Sequence, residues 1–407
     1  MKYKFNFSIF ILLTVWVFFP PITFCQTDPF PAVLEDDLSK GTSAIYLLDF
    51  DLAHQHFQKA IEIDPSHPAA YFFDVMCAWY ELTYDSLALR DPQREKRLED
   101  LADLASRKAE VYSKNPETAA VGYLYWGGAL GAKGWYHVTR GHWVRAYLSG
   151  KKGYNYMRKV IHLDTHLYDA YLGVGMFEYY TATLGPTLKA LASFSIRGDK
   201  EEAAQYLTLA QTQSRYVKLE AAYFLWNAAV EEDRLEEAHA RALELKNIFP
   251  ESPFFRWCEI FTLFRMKKWR EMLKACDVYF ALAYAGPQPY NYVNPHEKLL
   301  SKVLYHCGLA AYQLRDVRKA KDFFDRTIDQ KSEFHGWKVL AYLRRGEIFD
   351  LEDKRTEALV KYRAVLKYPD VYDSKKIARA RIRKPYPSDF DDESGILNTV
   401  SPLEVRR

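Results

Sequence analysis

The densest group of residues able to do chemistry is the stretch Gly127-Gly-Ala-Leu-Gly-Ala-Lys-Gly-Trp-Tyr-His-Val-Thr-Arg-Gly-His-Trp143, with five glycines, two histidines and two tryptophans. Glycines beside a lysine could cradle a phosphate, but that chemistry needs GxxxxGK[ST] between a strand and a helix. Here Lys133 lies between Ala132 and Gly134, and no strand pattern precedes it. Metal binding needs three or four convergent ligands. His137 and His142 are split by an expected turn at Thr139-Arg-Gly141, and His162-x-Asp164-x-His166 straddles an expected helix end. His54 and His56, two residues apart on one helix, point to different faces. No Ser/His/Asp or Cys/His set carries a supporting motif. The carboxylate pairs Asp36-Asp37, Glu231-Glu232 and Asp391-Asp392 fall where charge is ordinarily solvated. Arg197-Gly198-Asp199 reads as the entry to a helix, with Asp199 as its cap and Glu201 and Glu202 in the first turn. The expectation is a protein that is not an enzyme, with no cofactor and no metal. The glycines are then packing residues: Gly127, Gly128 and Gly131 open a groove along one helix, and Gly141 makes the turn into the next.

The elements that must position these residues follow from a repeat. Ala53, Phe57, Ala60 and Pro65 succeed one another at intervals of four, three and five, and Ala238, Ala242, Leu245 and Pro250 repeat those intervals. Ala320, Phe324 and Thr327 keep the first two, as do Ala358, Tyr362 and Val365. Upstream stand Leu304-x3-Gly308-x2-Ala311, Tyr342-x3-Gly346-x2-Phe349 and Ala222-x3-Trp226-x2-Ala229. This is tetratricopeptide-repeat spacing. Small residues such as Gly308 and Ala320 let the two helices of a hairpin approach closely, larger ones such as Leu304 and Phe324 fill the seam to the next hairpin, and prolines stop the second helix. The predicted fold is all-α, a superhelix of about eight helical hairpins near 36–64, 69–115, 117–163, 167–213, 219–248, 253–282, 297–330 and 336–368. A hairpin alone leaves an apolar face bare, so the pairs must stack.

In that register the concave face is lined by Phe254, Trp257, Phe261, Phe264 and Arg265 of one hairpin, Tyr305 and Tyr312 of the next, and Tyr223 and Asn227 of the preceding one. An aromatic groove edged by cations suits an extended peptide or an apolar chain. Only Asn227 matches the carboxylate clamp of chaperone-binding repeats, since Tyr223 stands where that clamp has a lysine, so recognition of a peptide C-terminus is not expected. After the last repeat, Lys375, Lys376, Arg379, Arg381, Arg383 and Lys384 form a basic stripe, with the acids from Asp389 to Glu393 as its nearest expected partners.

The blocks Ser149-Gly-Lys-Lys-Gly-Tyr, Leu172-Gly-Val-Gly-Met-Phe-Glu, Leu184-Gly-Pro-Thr-Leu-Lys-Ala-Leu-Ala-Ser-Phe-Ser-Ile-Arg-Gly-Asp-Lys-Glu-Glu and Ile248-Phe-Pro-Glu-Ser-Pro-Phe-Phe resemble the tetratricopeptide repeat protein 39 family over about 149–285. The resemblance implies a non-enzymatic helical scaffold, linked in some members to mitochondria or lipid bodies. The N-terminus departs from that family. Lys2 and Lys4, an apolar run from Phe7 to Phe19, and Pro20-Pro21 before Cys25 have the form of a secretory signal peptide. This points to a bacterial envelope relative, secreted across the inner membrane and periplasmic or associated with the outer membrane. Lipidation of Cys25 is the alternative, and Phe24 stands where such signals want a small residue.

The domain reading is a signal peptide over 1–25, a tetratricopeptide solenoid over 26–384 and a disordered tail over 385–407. The formal net charge is +3, of which Lys2 and Lys4 contribute two, so the rest is nearly neutral and no nucleic-acid partner is expected. The partner expected is an unidentified protein or peptide, with peripheral membrane contact as the alternative. Cys77, Cys258, Cys276 and Cys307 show no CxxC spacing and are expected as buried free thiols, although a Cys258–Cys276 disulfide is conceivable in an oxidising compartment.

Overall fold

Helix starts in this chain are set by side chains that accept the first free backbone amides. The computed structural model describes residues 31–84, 91–183, 198–285, 294–331 and 336–386. In it, Asp49 accepts from Leu52 N, Asp91 from Gln93 N and Arg94 N, Asp199 from Glu201 N and Glu202 N, and Ser252 from Phe255 N. Pro68, Pro92 and Pro253 occupy first turns, where their missing N–H costs nothing. The expected cap at Asp199 is present. Arg197 beside it lies outside the described residues, as do the N-terminal 30 residues, Asp391-Asp392 and the acids from Asp389 to Glu393.

Seventeen α-helices and no strand occur among the described residues. They are α1 Ala32–Tyr46, α2 Phe50–Ile63, α3 Pro68–Thr83, α4 Pro92–Tyr112, α5 Ala119–Thr139, α6 Trp143–Leu163, α7 Asp169–Thr183, α8 Lys200–Gln213 and α9 Lys218–Glu231. They continue with α10 Leu235–Ile248, α11 Pro253–Arg265, α12 Trp269–Ala283, α13 Leu300–Gln313, α14 Val317–Asp329, α15 Gly336–Leu351, α16 Arg355–Val365 and α17 Ser374–Arg383. A short 3₁₀ turn, Pro295–Leu299, leads into α13. Each helix packs on the next, and most odd-numbered helices also touch the next odd one. The result is eight hairpins in an all-α tetratricopeptide superhelix, with odd helices forming an inner layer, even helices an outer layer, and α17 capping the end.

The small residues let the helices of a hairpin approach as expected, but Phe324, expected in the seam to the next hairpin, packs on Gly308 and Tyr305 of its own hairpin. A Cβ on Gly308 would sit 2.5 Å from the Phe324 ring, and one on Gly346 would sit 2.5 Å from Tyr362. Within the opening stretch, a Cβ on Gly153 would meet the Gly127 carbonyl at 2.8 Å, so α5 and α6 cross backbone on backbone. Gly128 receives the Phe72 ring; a Cβ on Gly131 itself would meet open space, but its backbone N lies 3.2 Å from where a Cβ on Gly153 would sit, so it too borders the close crossing. Gly141, at φ +70°, makes the turn.

Two features correct the sequence reading. Cys276 on α12 and Cys307 on α13 are joined in a disulfide, with Cα atoms 7.1 Å apart, while Cys77 and Cys258 remain free and buried. Cys258 therefore does not pair with Cys276, and two of the four expected free thiols are not free. The second feature is closure. The Tyr46 hydroxyl at the end of α1 donates to Glu220 Oε1 on α9 at 2.6 Å, and Ser252 Oγ donates to the Tyr46 carbonyl at 2.8 Å. Tyr80 of α3 meets Phe254 of α11, Phe73 meets Tyr216, and Arg215 pairs with Glu35 at 2.6 Å. The inner helices of the first two hairpins thus pack directly onto those of the fifth and sixth.

Candidate functional site

Three nucleophile or acid–base groups converge inside the first hairpin seam, where α2 meets α3. His54 Nδ1 contacts Asp74 Oδ1, and His54 Nε2 lies 3.5 Å from Cys77 Sγ. The α2–α3 packing creates this line from residues 20 and 23 apart in sequence. Its order, carboxylate to imidazole to thiol, is that of a cysteine nucleophile with an oriented base. Its surroundings oppose that chemistry. All three side chains are buried, the thiol also donates to the Phe50 carbonyl at 3.6 Å, and Gln58 holds the other Asp74 oxygen at 3.2 Å. Burial, then the Asp74 charge, pushes the Cys77 thiol far above its ordinary range, whereas a reactive cysteine needs a lowered one. Motif spacing could not reveal this line, because the pairing depends on how one helix turns against another. It is a hydrogen-bonded core cluster.

The residues expected to line an open groove lie mostly inside the protein. Tyr223, Asn227, Trp257, Phe261, Phe264 and Tyr305 are buried, Trp257 to 1 % exposure, while Phe254, Arg265 and Tyr312 are half-buried. The expectation of an aromatic floor open to an extended partner is therefore corrected. Two physical reasons act. Closure places Tyr46 and Tyr80 over the inner face of α9 and α11, so Tyr223 and Phe254 meet each other and Tyr80 instead of solvent. Farther along, the Trp257 and Tyr305 rings turn into the seam with the next hairpin. Trp257 stacks edge-on against His306 at 4.8 Å with the Lys302 ammonium 4.6 Å from its face, and Tyr305 packs on Trp337 at 5.5 Å. Of the half-buried residues, Arg265 reaches Asp233 at 3.4 Å.

The electrostatics of the closed interior centre on Glu220. Burial raises its carboxyl to about 7, with the Tyr46 hydroxyl bond acting against the shift. Its second oxygen has no hydrogen-bond partner among the described residues. Burial likewise holds His296 down to about 4 and His306 to about 3. His306 Nδ1 donates to the Lys302 carbonyl at 2.7 Å. The other histidines singled out stay apart: His137 is buried, its ring 5.9 Å from His142, and His166 lies 3.5 Å from Asp164 at the surface. Among the described residues no group of three or more His, Cys, Asp or Glu could hold a metal ion.

At the C-terminal end, Asp350 accepts from Arg355, Tyr362 and the Tyr386 amide, and Arg355 in turn donates to the Arg381 and Ile382 carbonyls. This fixes α17, leaving Lys376, Arg379, Arg383 and Lys384 exposed.

No protein-family model and no curated protein matches the chain. Among solved structures, the chain is similar to the human IFIT1 dimer with PPP-AAAA, at 11% identity over 86% of this chain and 84% of that one, with a TM-score of 0.37. It is also similar to the TPR domain of P58(IPK), at 14% identity over 87% and 97% of the two chains, with a TM-score of 0.25. At these levels the likeness carries no argument, and the tetratricopeptide architecture rests on the eight hairpins themselves.

Proposed function

We propose that this protein is a non-enzymatic tetratricopeptide scaffold that binds a protein or peptide partner in a bacterial cell envelope, as a secreted relative of the tetratricopeptide repeat protein 39 group. One observation carries the reading: the described residues are stacked hairpins, and the arrangement among them that resembles a catalytic line, Cys77–His54–Asp74, is buried away from any substrate. Repeat arrays of this kind serve by surface, since each hairpin adds area without adding a reactive group. The Cys276–Cys307 disulfide supports an oxidising compartment such as the periplasm, in keeping with the signal-like N-terminus.

Because the first hairpins already occupy the inner face, partner contact falls on hairpin edges and outer helices, with Arg265 and Tyr312 the members of the predicted set still reachable. Crosslinking in whole cells, followed by purification and identification of the captured protein, tests the scaffold reading. A specific partner lost on Arg265→Glu and Tyr312→Ala supports it, and turnover of any small substrate by the purified chain overturns it. Fractionation with non-reducing peptide mapping tests the compartment: a reduced Cys276 in the native cell counts against export.

A further inference from the structure

The charge of this nearly neutral chain is unevenly distributed. Between Glu117 and Asp164, which spans both helices of the third hairpin, there is no acidic residue at all. Some of the cations in this stretch are neutralised from outside it, Lys133 by Asp103 at 2.6 Å and Arg140 by Glu95 at 2.9 Å. Arg145, Lys151, Lys152 and Lys159, all on α6, make no ion pair with any described acid. α6 belongs to the outer layer, and at 100° per residue these four cations share its solvent side with Val144, Leu148 and Leu163. Val144 is 65 % exposed and Leu148 61 %. Soluble outer helices normally interleave acids with such cations and bury their aliphatic residues inward.

Beside this stripe the hairpin assembles an aromatic shelf. The Trp126 ring packs on Tyr156 at 4.5 Å and on Tyr123 at 6.4 Å. Ammonium groups lie on the shelf, Lys159 at 3.9 Å from the Tyr123 centroid and Lys152 at 5.1 Å from Trp126. Glu110, whose charge is felt at Tyr156, faces Lys114 at 3.9 Å. We propose that the outer face of α6, with the Tyr123–Trp126–Tyr156 shelf, is a docking surface for an anionic lipid bilayer.

Each component matches a layer of that partner. Exposed valine and leucine enter the acyl boundary, tryptophan and tyrosine rings rest at headgroup depth, and lysines with long apolar stems reach the phosphates. No described helix is long and apolar enough to cross a membrane, so the contact is peripheral. A single-stranded nucleic acid also attracts cations and rings, but it needs ring faces free for stacking bases. Here the rings face one another and ammonium groups, and the exposed aliphatic side chains would gain nothing from a polynucleotide. The cationic stripe lies on the outer helix α6 and the shelf adds Tyr123 and Trp126 from the adjoining α5, away from the α9 and α11 contacts, so the inference stands whether or not the chain also binds a protein.

The test is co-sedimentation of the full-length protein with vesicles of phosphatidylcholine alone and of phosphatidylcholine mixed with phosphatidylglycerol. Wild type should partition onto the mixed vesicles, much less onto the neutral ones, and release with rising salt. Lys152→Glu with Lys159→Glu should lower partitioning at least about twentyfold, as each cation near a charged bilayer contributes roughly a factor of five. Leu148→Ser should lower it several-fold at all salt concentrations, and helix content measured by circular dichroism should stay unchanged in both variants. If charge reversal perturbs folding, Lys152→Gln with Lys159→Gln should still reduce partitioning clearly. The proposal is overturned by equal binding to both vesicle types or by undiminished binding of the lysine variants. It is also overturned if only Lys376→Glu with Arg379→Glu on α17 abolishes binding, or if an oligonucleotide is captured while neither vesicle is.

Discussion

Glu220 is a carboxyl buried in the closed interior, and the consequence is a pH dependence with a definite sign. Folded, the carboxyl titrates at about 7 against an ordinary 4.5. Between those values the folded state holds a proton that the unfolded chain has released. Its contribution to stability therefore falls as pH rises from 4.5 to 7 and is level above that window. His296 and His306 act oppositely, since neutral buried imidazoles lose stability as pH drops below 6.5. A raw stability profile mixes the two trends. Glu220→Gln keeps an acceptor for the Tyr46 hydroxyl and removes one slope. Urea unfolding should show the variant gaining on wild type by on the order of 3 kcal/mol between pH 4.5 and pH above 7. A difference that stays flat with pH refutes the assignment. Trp257 makes the companion prediction. Its burial against His306 and Lys302 means that Trp257→Ala should destabilise the fold by roughly 3–5 kcal/mol, seen as a large drop in melting temperature, where a groove residue would leave stability untouched.

At the scale of elements the sequence was informative because hairpin packing is local. The spacing of Ala320, Phe324 and Gly308 reports a contact between neighbouring helices, and that contact is present. Gly308→Leu should therefore lower stability by about 1–3 kcal/mol or more, because the new side chain must displace Phe324. An unchanged melting curve would contradict the observed crossing. What the spacing could not supply is the rotation of each hairpin on the next. The intervals within long helices such as α4, α5 and α6, each of 21 residues, carry no information on that rotation, and small rotations add up along a stack. Whether Trp257 looks into a groove or a seam is decided by that sum. The same holds for the Cys77–His54–Asp74 line and for the pairing of Cys276 with Cys307: each needs the relative placement of two helices, which no interval within one helix encodes.

Across the whole molecule, the closure of α1 and α3 onto α9 and α11 distinguishes this chain from an open repeat array. In an open array each hairpin depends only on its neighbours, and stability is nearly a sum of local terms. Here the bonds from Tyr46 to Glu220 and from Ser252 to Tyr46 span 174 and 206 residues. Tyr46→Ala removes the hydroxyl bond to Glu220 and the ring packed on Tyr80, Phe249 and Phe255, while the backbone carbonyl that accepts from Ser252 remains. It should raise hydrogen exchange not only in α1 but also in α9 and α11, while leaving α15 to α17 protected; exchange confined to α1 would mean that closure is energetically idle. The same contacts set a clock on biosynthesis. A chain made from its N-terminus at roughly 5–20 residues per second presents α1 about 10 to 40 seconds before the segment it docks on exists. The first hairpin must spend that interval with its inner face uncovered. Its completion therefore waits for α9 and α11, however early it is made.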